Sequence, residues 1–245
     1  MIEFRGVHHA YGEREVLRGV DLILGEPRVG IVGANGSGKS TLARMINGLV
    51  TPTAGTVTVD GLDVATQGKQ VRQRVAFVFP DPEAQIVMPT VSEDIAFSLR
   101  RHKLSRTQVD QRVDEVLARF GLSEHRDHPA HLLSSGQKQL LAVASVTATH
   151  PSVLVADEPT TMLDRRHERA VMRHLTSLDL QLVVVTHQLD LLLEWERVIV
   201  LDEGRVVADG TGAESIAFYC DLMDRADAGP AMRPADPGRP EGPSC

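Results

Sequence analysis

One glycine-rich segment, residues 33–41, restricts what this chain can fold into more than any other part of its sequence. The segment reads GANGSGKST and fits the pattern G-x-x-x-x-G-K-[ST]. Its glycines let the backbone curl without side-chain clashes, so that successive N–H groups point inward and can bind phosphate oxygens. Lys39 adds a positive charge, and the Ser40 hydroxyl is placed to ligate Mg²⁺. The predicted nucleotide-binding residues of the segment are Asn35, Gly36, Ser37, Gly38, Lys39, Ser40 and Thr41.

The residues on either side of this loop have the patterns of a strand and a helix. Residues 29–32 form a short apolar run that is typical of a buried strand. After the loop, apolar residues recur at helical spacing, which predicts a helix whose positive N-terminal end faces the phosphates. The residues of that apolar face are Leu42, Met45, Ile46 and Leu49.

Further apolar runs predict the rest of an open sheet. Residues 75–79, 153–156 and 182–186 read as buried strands, and polar residues follow the last two directly. In an open parallel sheet, ligands bind at the edge where the strands end. Residues 1–28 contain short apolar runs broken by turn residues, which predict an antiparallel β region, and residues 198–208 read as a closing hairpin.

Residues 85–145 have a different, helical character. Thr90 and Glu93 have the spacing of a capping box, and residues 107–120 are strongly periodic. We therefore predict an α/β fold: a P-loop NTPase core with a mostly parallel sheet, an N-terminal antiparallel β region and an inserted helical lobe. The predicted boundaries are an ATPase domain over 1–220, with its core in 1–84 and 146–220 and the lobe in 85–145, followed by a disordered Pro/Gly-rich tail over 221–245.

The polar residues at the predicted strand ends suit phosphate chemistry. Asp157 follows an apolar strand and is placed to support the coordination of Mg²⁺. Glu158 can polarise a water for in-line attack on the γ-phosphate, and His187 can orient that water. Tyr11 has two interpretations, either a stacking surface for a purine ring or a half-buried strand residue.

Composition argues against several other classes of protein. The net charge is −7, whereas a nucleic-acid-binding protein usually has a basic face. The two cysteines, Cys220 and Cys245, have neither metal-site spacing nor the pattern of a disulfide framework. No apolar run approaches the roughly 18 residues of a membrane span, so we expect no part of the chain to cross a bilayer.

Four motifs in order resemble the nucleotide-binding subunits of ATP-binding cassette (ABC) transporters. They are the loop at 33–41, LSSGQ at 133–137, LVADEPT at 154–160 and VVTH at 184–187. The resemblance implies that two cassettes pair head to tail, as two copies or with a paralogue, and enclose ATP and Mg²⁺ between them. It gives Tyr11 the purine-stacking position and makes Asp164 part of the loop that crosses between cassettes. The residues that would grip the γ-phosphate of the partner's ATP are Ser134, Ser135, Gly136 and Gln137.

A finer resemblance is to the energy-coupling-factor importers. Residues 77–91 are similar to a segment of those ATPases, and residues 156–166 look most like the biotin-transporter subunit. This implies docking, through residues near 80–100, on an integral membrane subunit that works with a substrate-binding membrane subunit at the cytoplasmic face of the membrane. Cobalt or nickel uptake is the alternative cargo. Two other interpretations are a cassette ATPase that is not tied to transport and a nucleotide-binding module that does not hydrolyse ATP. Glu158 argues against the module without hydrolysis, because the candidate base is present.

Two residues depart from the ABC pattern. Pro80 stands where the family usually has a glutamine that contacts Mg²⁺ or the attacking water, and proline lacks both a side-chain acceptor and an N–H. Either Gln85 or Asp81 replaces it, or the metal keeps an extra water. Ser135 stands where a glycine is usual, next to the phosphate.

Overall fold

The computed structural model describes residues 1–227, which form two β-sheets and seven α-helices. The helices are α1 (Lys39–Ile46), α2 (Gly68–Arg74), α3 (Val91–Leu99), α4 (Arg106–Phe120), α5 (Ser135–Thr147), α6 (Arg165–Thr176) and α7 (Gly212–Asp227). The strands are β1 (Ile2–Tyr11), β2 (Arg14–Leu24), β3 (Arg28–Val32), β4 (Ala54–Val59), β5 (Leu62–Asp63), β6 (Val75–Val78), β7 (Val153–Asp157), β8 (Gln181–Val185), β9 (Arg197–Asp202) and β10 (Arg205–Gly210).

The larger sheet carries the predicted site. Its order is β10-β9-β3-β8-β7-β6, and every pair is parallel except the β9–β10 hairpin. The smaller sheet, β2-β1-β4-β5, is antiparallel throughout. The predicted fold class is therefore confirmed, with a parallel core, an N-terminal antiparallel sheet and helices over 91–147.

Alternation along the central strands divides the apolar core into two layers. In β7, Leu154 and Ala156 face the cluster that α3, α4 and α5 complete. Val153 and Val155 face the opposite cluster, which α1 and the antiparallel sheet complete. The sheet is thus covered on both sides, which is why its central strands read as continuous apolar runs.

Helix ends follow local sequence signals. Thr90 and Glu93 form the predicted capping box of α3, and Ser105 forms a second capping box with Gln108 at α4. One prediction on α1 is wrong: Leu49 is 47% exposed, because the helix ends at Ile46 and Gly48 takes a positive φ of 71°.

The predicted disordered tail starts too early. Helix α7 continues to Asp227. Its start is fixed because the Thr211 and Glu214 side chains each bond the other's backbone N–H, and an ion pair between Asp221 and Arg225 supports its last turns. Residues 228–245, the rest of the predicted tail, lie outside the described residues. The predicted domain boundaries stay a prediction. Within residues 1–227, no helix is long and apolar enough to cross a membrane.

Candidate functional site

The glycine-rich loop connects β3 to α1 and needs its glycines at specific positions. Gly33 and Gly38 have φ angles of 149° and 104°, in the region that L side chains avoid. A Cβ at Gly33 would lie 2.0 Å from the carbonyl oxygen of Leu201, and one at Gly38 would lie 2.8 Å from Leu17 Cδ2. The loop therefore packs directly on β9 and β2, which leaves no room for a side chain at either glycine.

Lys39 lies along the inside of this loop. Its buried ammonium donates to the carbonyl oxygens of Gly33 and Ala34 at 2.8 and 2.9 Å. Burial lowers the pKa of Lys39, while the nearby carboxylates of Glu158 and Asp157 act in the opposite direction. The lysine thus stands between the loop and the two acids at the end of β7.

Asp157 joins β7 to the first turn of α1. It is fully buried, and its Oδ1 accepts from the Ser40 hydroxyl at 2.8 Å. The other oxygen, Oδ2, has no hydrogen-bond partner, and the Arg44 guanidinium lies 3.6 Å from it. Burial raises the pKa of the Asp157 carboxyl, against the lowering effects of Ser40 and Arg44. A buried carboxylate with an unpartnered oxygen suits a cation.

Glu158 occupies a strained position directly after the buried strand. Its φ is 51°, which is uncommon outside glycine, and its N–H donates to the Val185 carbonyl at 2.8 Å. Its Oε2 accepts from the Thr161 hydroxyl at 3.0 Å and lies 2.8 Å from His187 Nδ1. Because a carboxylate only accepts, Nδ1 of His187 carries a proton, and in the neutral imidazole Nε2 is left as an acceptor.

A second group of predicted residues lies at the N-terminus of α5. Ser134 caps the helix by accepting from Gln137 N–H, and the Gln137 side chain accepts from Ser134 N–H at 2.9 Å. Gly136 lies against His167 of α6, where a Cβ would be 2.6 Å from the ring atom Cδ2. The His167 ring in turn contacts the Asp164 carboxylate through Nδ1 at 2.8 Å. The segment 134–137 and Asp164 are thus connected through one imidazole.

The segment around Pro80 faces this second group across a cleft of about 690 Å³. Lys138 of α5 and Glu83 form an ion pair across it. Gln85 uses both ends of its amide inside the chain, accepting from Phe79 N–H at 3.1 Å and donating to the Ala142 carbonyl at 3.2 Å. Asp81 accepts from Glu83 N–H at 2.9 Å and is exposed. Of the two predicted replacements for the missing glutamine, only Asp81 keeps a free acceptor oxygen.

Tyr11 is the last residue of β1. The ring is 51% exposed and meets the buried His9 edge-on at 4.5 Å between centroids. Arg14, its partner across the turn to β2, has Nη2 3.5 Å from where a Cβ of Gly36 would stand. Arg14 therefore reaches the phosphate loop, and the stacking role of the exposed Tyr11 ring stays a prediction.

Comparison with known proteins agrees with this geometry. Residues 19–161 match the family model described as ABC transporter. An ABC transporter ATP-binding protein of Deinococcus radiodurans is 51% identical over 223 residues, covering 91% of this chain and 99% of the relative. The chain belongs to the ABC transporter family.

Two further relatives of this ABC cassette have more specific names. The biotin transport ATP-binding protein BioM of Rhizobium etli is 44% identical, over 90% of this chain and 98% of the relative. The energy-coupling factor transporter ATP-binding protein EcfA1 of Symbiobacterium thermophilum is 42% identical, over 97% of this chain and 88% of the relative. The expected family resemblance is therefore confirmed.

Solved structures agree with the same assignment. CbiO1 from Clostridium perfringens, part of the ABC transporter complex cbiONQ, superposes with a TM-score of 0.81 at 29% identity, over 93% of this chain and 94% of that one. The dimeric ATP-binding cassette MJ0796, bound to ADP and Pi, gives a TM-score of 0.75 at 29% identity, over 86% of this chain and 98% of that one. The chain is thus the ATP-binding ATPase subunit of an ABC transporter.

The ABC cassette brings the predicted site residues together in two separate groups. The loop, Asp157, Glu158 and His187 form one group. Residues 134–137 and Asp164 form the other, and within the described residues no hydrogen bond connects the two groups.

Sequence reasoning missed several side chains that position this site. Arg44, His167 and Gln188 were not singled out, and Thr161 was named only as part of the segment that ends at Asp164, with no role for its side chain. Gln188 directly follows a predicted motif. Gln188 accepts from the Thr160 hydroxyl and donates to Glu168 at 3.0 Å, which fixes the turn that carries His187. Position within or next to a motif was the available signal for Thr161 and Gln188, whereas nothing in the sequence pattern pointed to Arg44 or His167.

Proposed function

We propose that this cassette binds ATP at its glycine-rich loop and hydrolyses it between two paired cassettes to drive uptake of a small molecule. The observation that carries this proposal is the 2.8 Å hydrogen bond between Ser40 and Asp157, with Glu158 following directly in the chain. It joins a phosphate-binding loop to two acids at one sheet edge. The nucleotide-binding residues are those predicted, from Asn35 to Thr41, with Tyr11 under the purine.

The residues present fit Mg²⁺ of the kind that nucleotides carry. Within the described residues, no group of three or more His, Cys, Asp or Glu side chains is arranged to hold a metal. Mg²⁺ needs no such group, because phosphates and waters supply most of its ligands. Ser40 and Asp157 would hold it, through the hydroxyl and the unpartnered Oδ2. When bound, the ion neutralises charge on the phosphates.

Glu158 is the proposed general base. Its carboxylate is held by Thr161 and His187, so it is oriented before a water arrives. The carboxylate accepts a proton from the water that attacks the γ-phosphate, and His187 Nε2 remains free to accept from that water or from a protonated phosphate oxygen. The Lys39 ammonium would exchange its two carbonyl partners, those of Gly33 and Ala34, for phosphate oxygens.

The second cassette supplies the other group of residues. The N-terminus of α5 presents backbone N–H groups at Ser135 and Gly136, which suit an anion. Ser134, Ser135, Gly136 and Gln137 would bind the γ-phosphate held by the partner, and Asp164 would lie at the junction. The partner is a second copy or a paralogue.

For the transporter, we propose the energy-coupling-factor type with biotin as cargo. The likeness to BioM and EcfA1 supports this, and the ATPase subunit would dock on an integral membrane subunit and a substrate-binding subunit at the cytoplasmic face of the membrane. A cobalt or nickel importer is the second candidate. No role for nucleic acid is proposed.

Co-purification of the membrane complex tests the cargo. The complex is isolated through this chain, reconstituted in vesicles and supplied with ATP and labelled biotin, with Glu158→Gln as the matched control. Uptake of biotin that requires ATP and is lost in the control is the expected result. Uptake of Co²⁺ or Ni²⁺ without biotin uptake would contradict the biotin assignment and leave the ATPase assignment intact.

A further inference from the structure

The segment 134–137 is contacted from outside by a histidine that has no part in the proposed function. His125 ends a short 3₁₀ turn, Ser123–His125, which precedes α5 in the chain. Its half-buried ring places Nε2 at 2.9 Å from Nε2 of Gln137. His125 therefore contacts the side chain that closes the capping box of α5.

The hydrogen bonds around Gln137 fix which atom donates in each contact. The backbone N–H of Ser134 can only donate, so the atom of the Gln137 amide that it meets at 2.9 Å is the oxygen, Oε1. The NH₂ group of the amide then faces His125, and it too can only donate. Nε2 of His125 must therefore accept, which requires a neutral imidazole with its proton on Nδ1.

A second proton on His125 is incompatible with these hydrogen bonds. An imidazolium donates from both ring nitrogens, so Nε2–H would face the NH₂ group of Gln137, donor against donor. Turning the amide over would satisfy the imidazolium, but it would place the NH₂ group against the N–H of Ser134. In either case the first turn of α5 loses a hydrogen bond that holds it.

The charged groups near His125 do not provide it with another partner. In the part of the chain that the structure describes, its ring has no hydrogen bond to a carboxylate, and the nearby Arg126 forms an ion pair with Asp114 of α4. The His128 ring lies edge-on to it, at 5.5 Å between centroids. Gln137 is thus the hydrogen-bond partner that decides the state of the ring. The titratable groups that adjoin this turn from its own segment, α4 and α5 are His128, Glu124, Arg126, Asp110, Asp114 and Lys138.

We propose that His125 is a positioning residue for ATP hydrolysis: its neutral ring holds Gln137, and Gln137 holds the first turn of α5 in the shape that binds the γ-phosphate of the partner's ATP. The capping box uses the N–H groups of Ser134 and Gln137. Those of Ser135 and Gly136 have no partner within the helix and are left for an anion. The inference rests on the proposed function, in which the segment 134–137 acts on the partner's nucleotide.

The tautomer of His125 gives a test in the nucleotide-free full chain, which does not depend on ATP hydrolysis. Long-range ¹H–¹⁵N spectra at about pH 8, where an imidazole is neutral, distinguish a protonated ring nitrogen from a bare one. The signals that disappear in His125→Gln identify the ring. We expect the proton on Nδ1 in wild type and a shift toward the Nε2–H tautomer in Gln137→Leu, which lacks the donor. A proton on Nε2 in wild type, or the same tautomer in Gln137→Leu, would overturn the proposal.

The ATPase rate of the complex purified through this chain gives a second test. His125→Leu removes the acceptor, whereas His125→Gln offers a side-chain oxygen in its place and does not titrate. His128→Leu is the matched control, because it removes an exposed imidazole close by that has no bond to Gln137. Thermal melting of each variant confirms that it is folded.

At about pH 8 we expect His125→Leu to lower kcat about threefold to tenfold, the size of one hydrogen bond. Binding of ATP to the isolated chain should not change, because the phosphate loop belongs to the other group of site residues. His125→Gln and His128→Leu should keep the wild-type kcat. Between about pH 8 and pH 6, wild type should lose a larger share of its rate than His125→Gln, because only wild type gains the second proton at this position.

Three results would overturn this inference alone. They are a wild-type kcat in His125→Leu, a loss in His125→Gln as large as that in His125→Leu, and equal losses of rate in acid for wild type and His125→Gln. A wild-type complex that hydrolyses no ATP would contradict the proposed function, and this inference with it.

Discussion

Replacing Gly136 by alanine tests the contact between the α5 N-terminus and α6. The new Cβ would meet three atoms of His167, with Cδ2 at 2.6 Å, Cγ at 3.0 Å and Cβ at 3.2 Å. Rotation of the ring away from the new Cβ would break its contact with Asp164, which joins Nδ1 and the carboxylate at 2.8 Å, and would leave the clash at the His167 Cβ. The first turn of α5, which carries the segment 134–137, must therefore shift.

The size of the effect follows from two opposing contributions. Overpacking of this kind costs about 1–3 kcal/mol. Alanine in place of glycine within a helix stabilises the helix by about 1 kcal/mol. In the His167→Ala background the clashes with Cδ2 and Cγ are absent and only the 3.2 Å contact with the Cβ of residue 167 remains, so most of the unfavourable contribution is removed. The coupling energy between the two sites should thus be about 1–3 kcal/mol.

Urea denaturation of the nucleotide-free chain measures this cycle. Gly25→Ala is the matched control, since a Cβ there meets nothing within 4 Å. We expect Gly136→Ala to lower the free energy of unfolding relative to Gly25→Ala, and His167→Ala to remove that difference. If Gly136→Ala lowers the free energy of unfolding by the same amount with His167 present and with His167→Ala, the reasoning is refuted.

Three further substitutions test the site itself. Burial raises the pKa of the Asp157 carboxyl above its unfolded value, so the carboxyl stabilises the fold at low pH and this stabilisation is lost as pH rises through the folded pKa. Asp157→Asn should therefore raise Tm at neutral pH by about 2–4 °C, for an effect of order 1 kcal/mol. A gain in Tm of the same size at acid pH would count against this explanation. Pro80→Gln should leave Mg²⁺ dependence and turnover little changed if a water takes the place of the missing amide; a large gain in hydrolysis with transport lost would show otherwise. Tyr11→Ala should weaken ATP binding about tenfold in calorimetry through lost stacking, and unaltered affinity would return Tyr11 to a structural role.

Much of the fold could be predicted because strong local signals agree with the tertiary structure. Strands β3, β7 and β8 are buried on both faces and therefore read as apolar runs, and the phosphate loop has a pattern that few other structures need. The end of α7 was missed because the sequence beyond 220 is rich in charge and small residues, whereas an Asp221–Arg225 pair supports the helix locally.

Side-chain partners at the site were harder to predict than its members. Asp157 and Glu158 follow an apolar strand, which is a sequence signal. The partners Arg44 and His167 depend on how α1 and α6 pack, and contacts over such distances in the chain leave no mark on local periodicity. Pro80 could be noticed as a departure, but only the structure shows that Gln85 is committed to Phe79 and Ala142.

The number of cassettes that share each ATP tests the central claim most directly. The complex purified through this chain carrying Glu158→Gln is incubated with Mg²⁺ and ATP and analysed by native mass spectrometry, with Lys39→Ala as the control that binds no nucleotide. Each chain has a mass of 26.7 kDa, which is easily resolved. We predict that ATP is retained only by assemblies containing two cassettes. ATP held tightly by a single cassette, with no increase in pairing, would contradict the account.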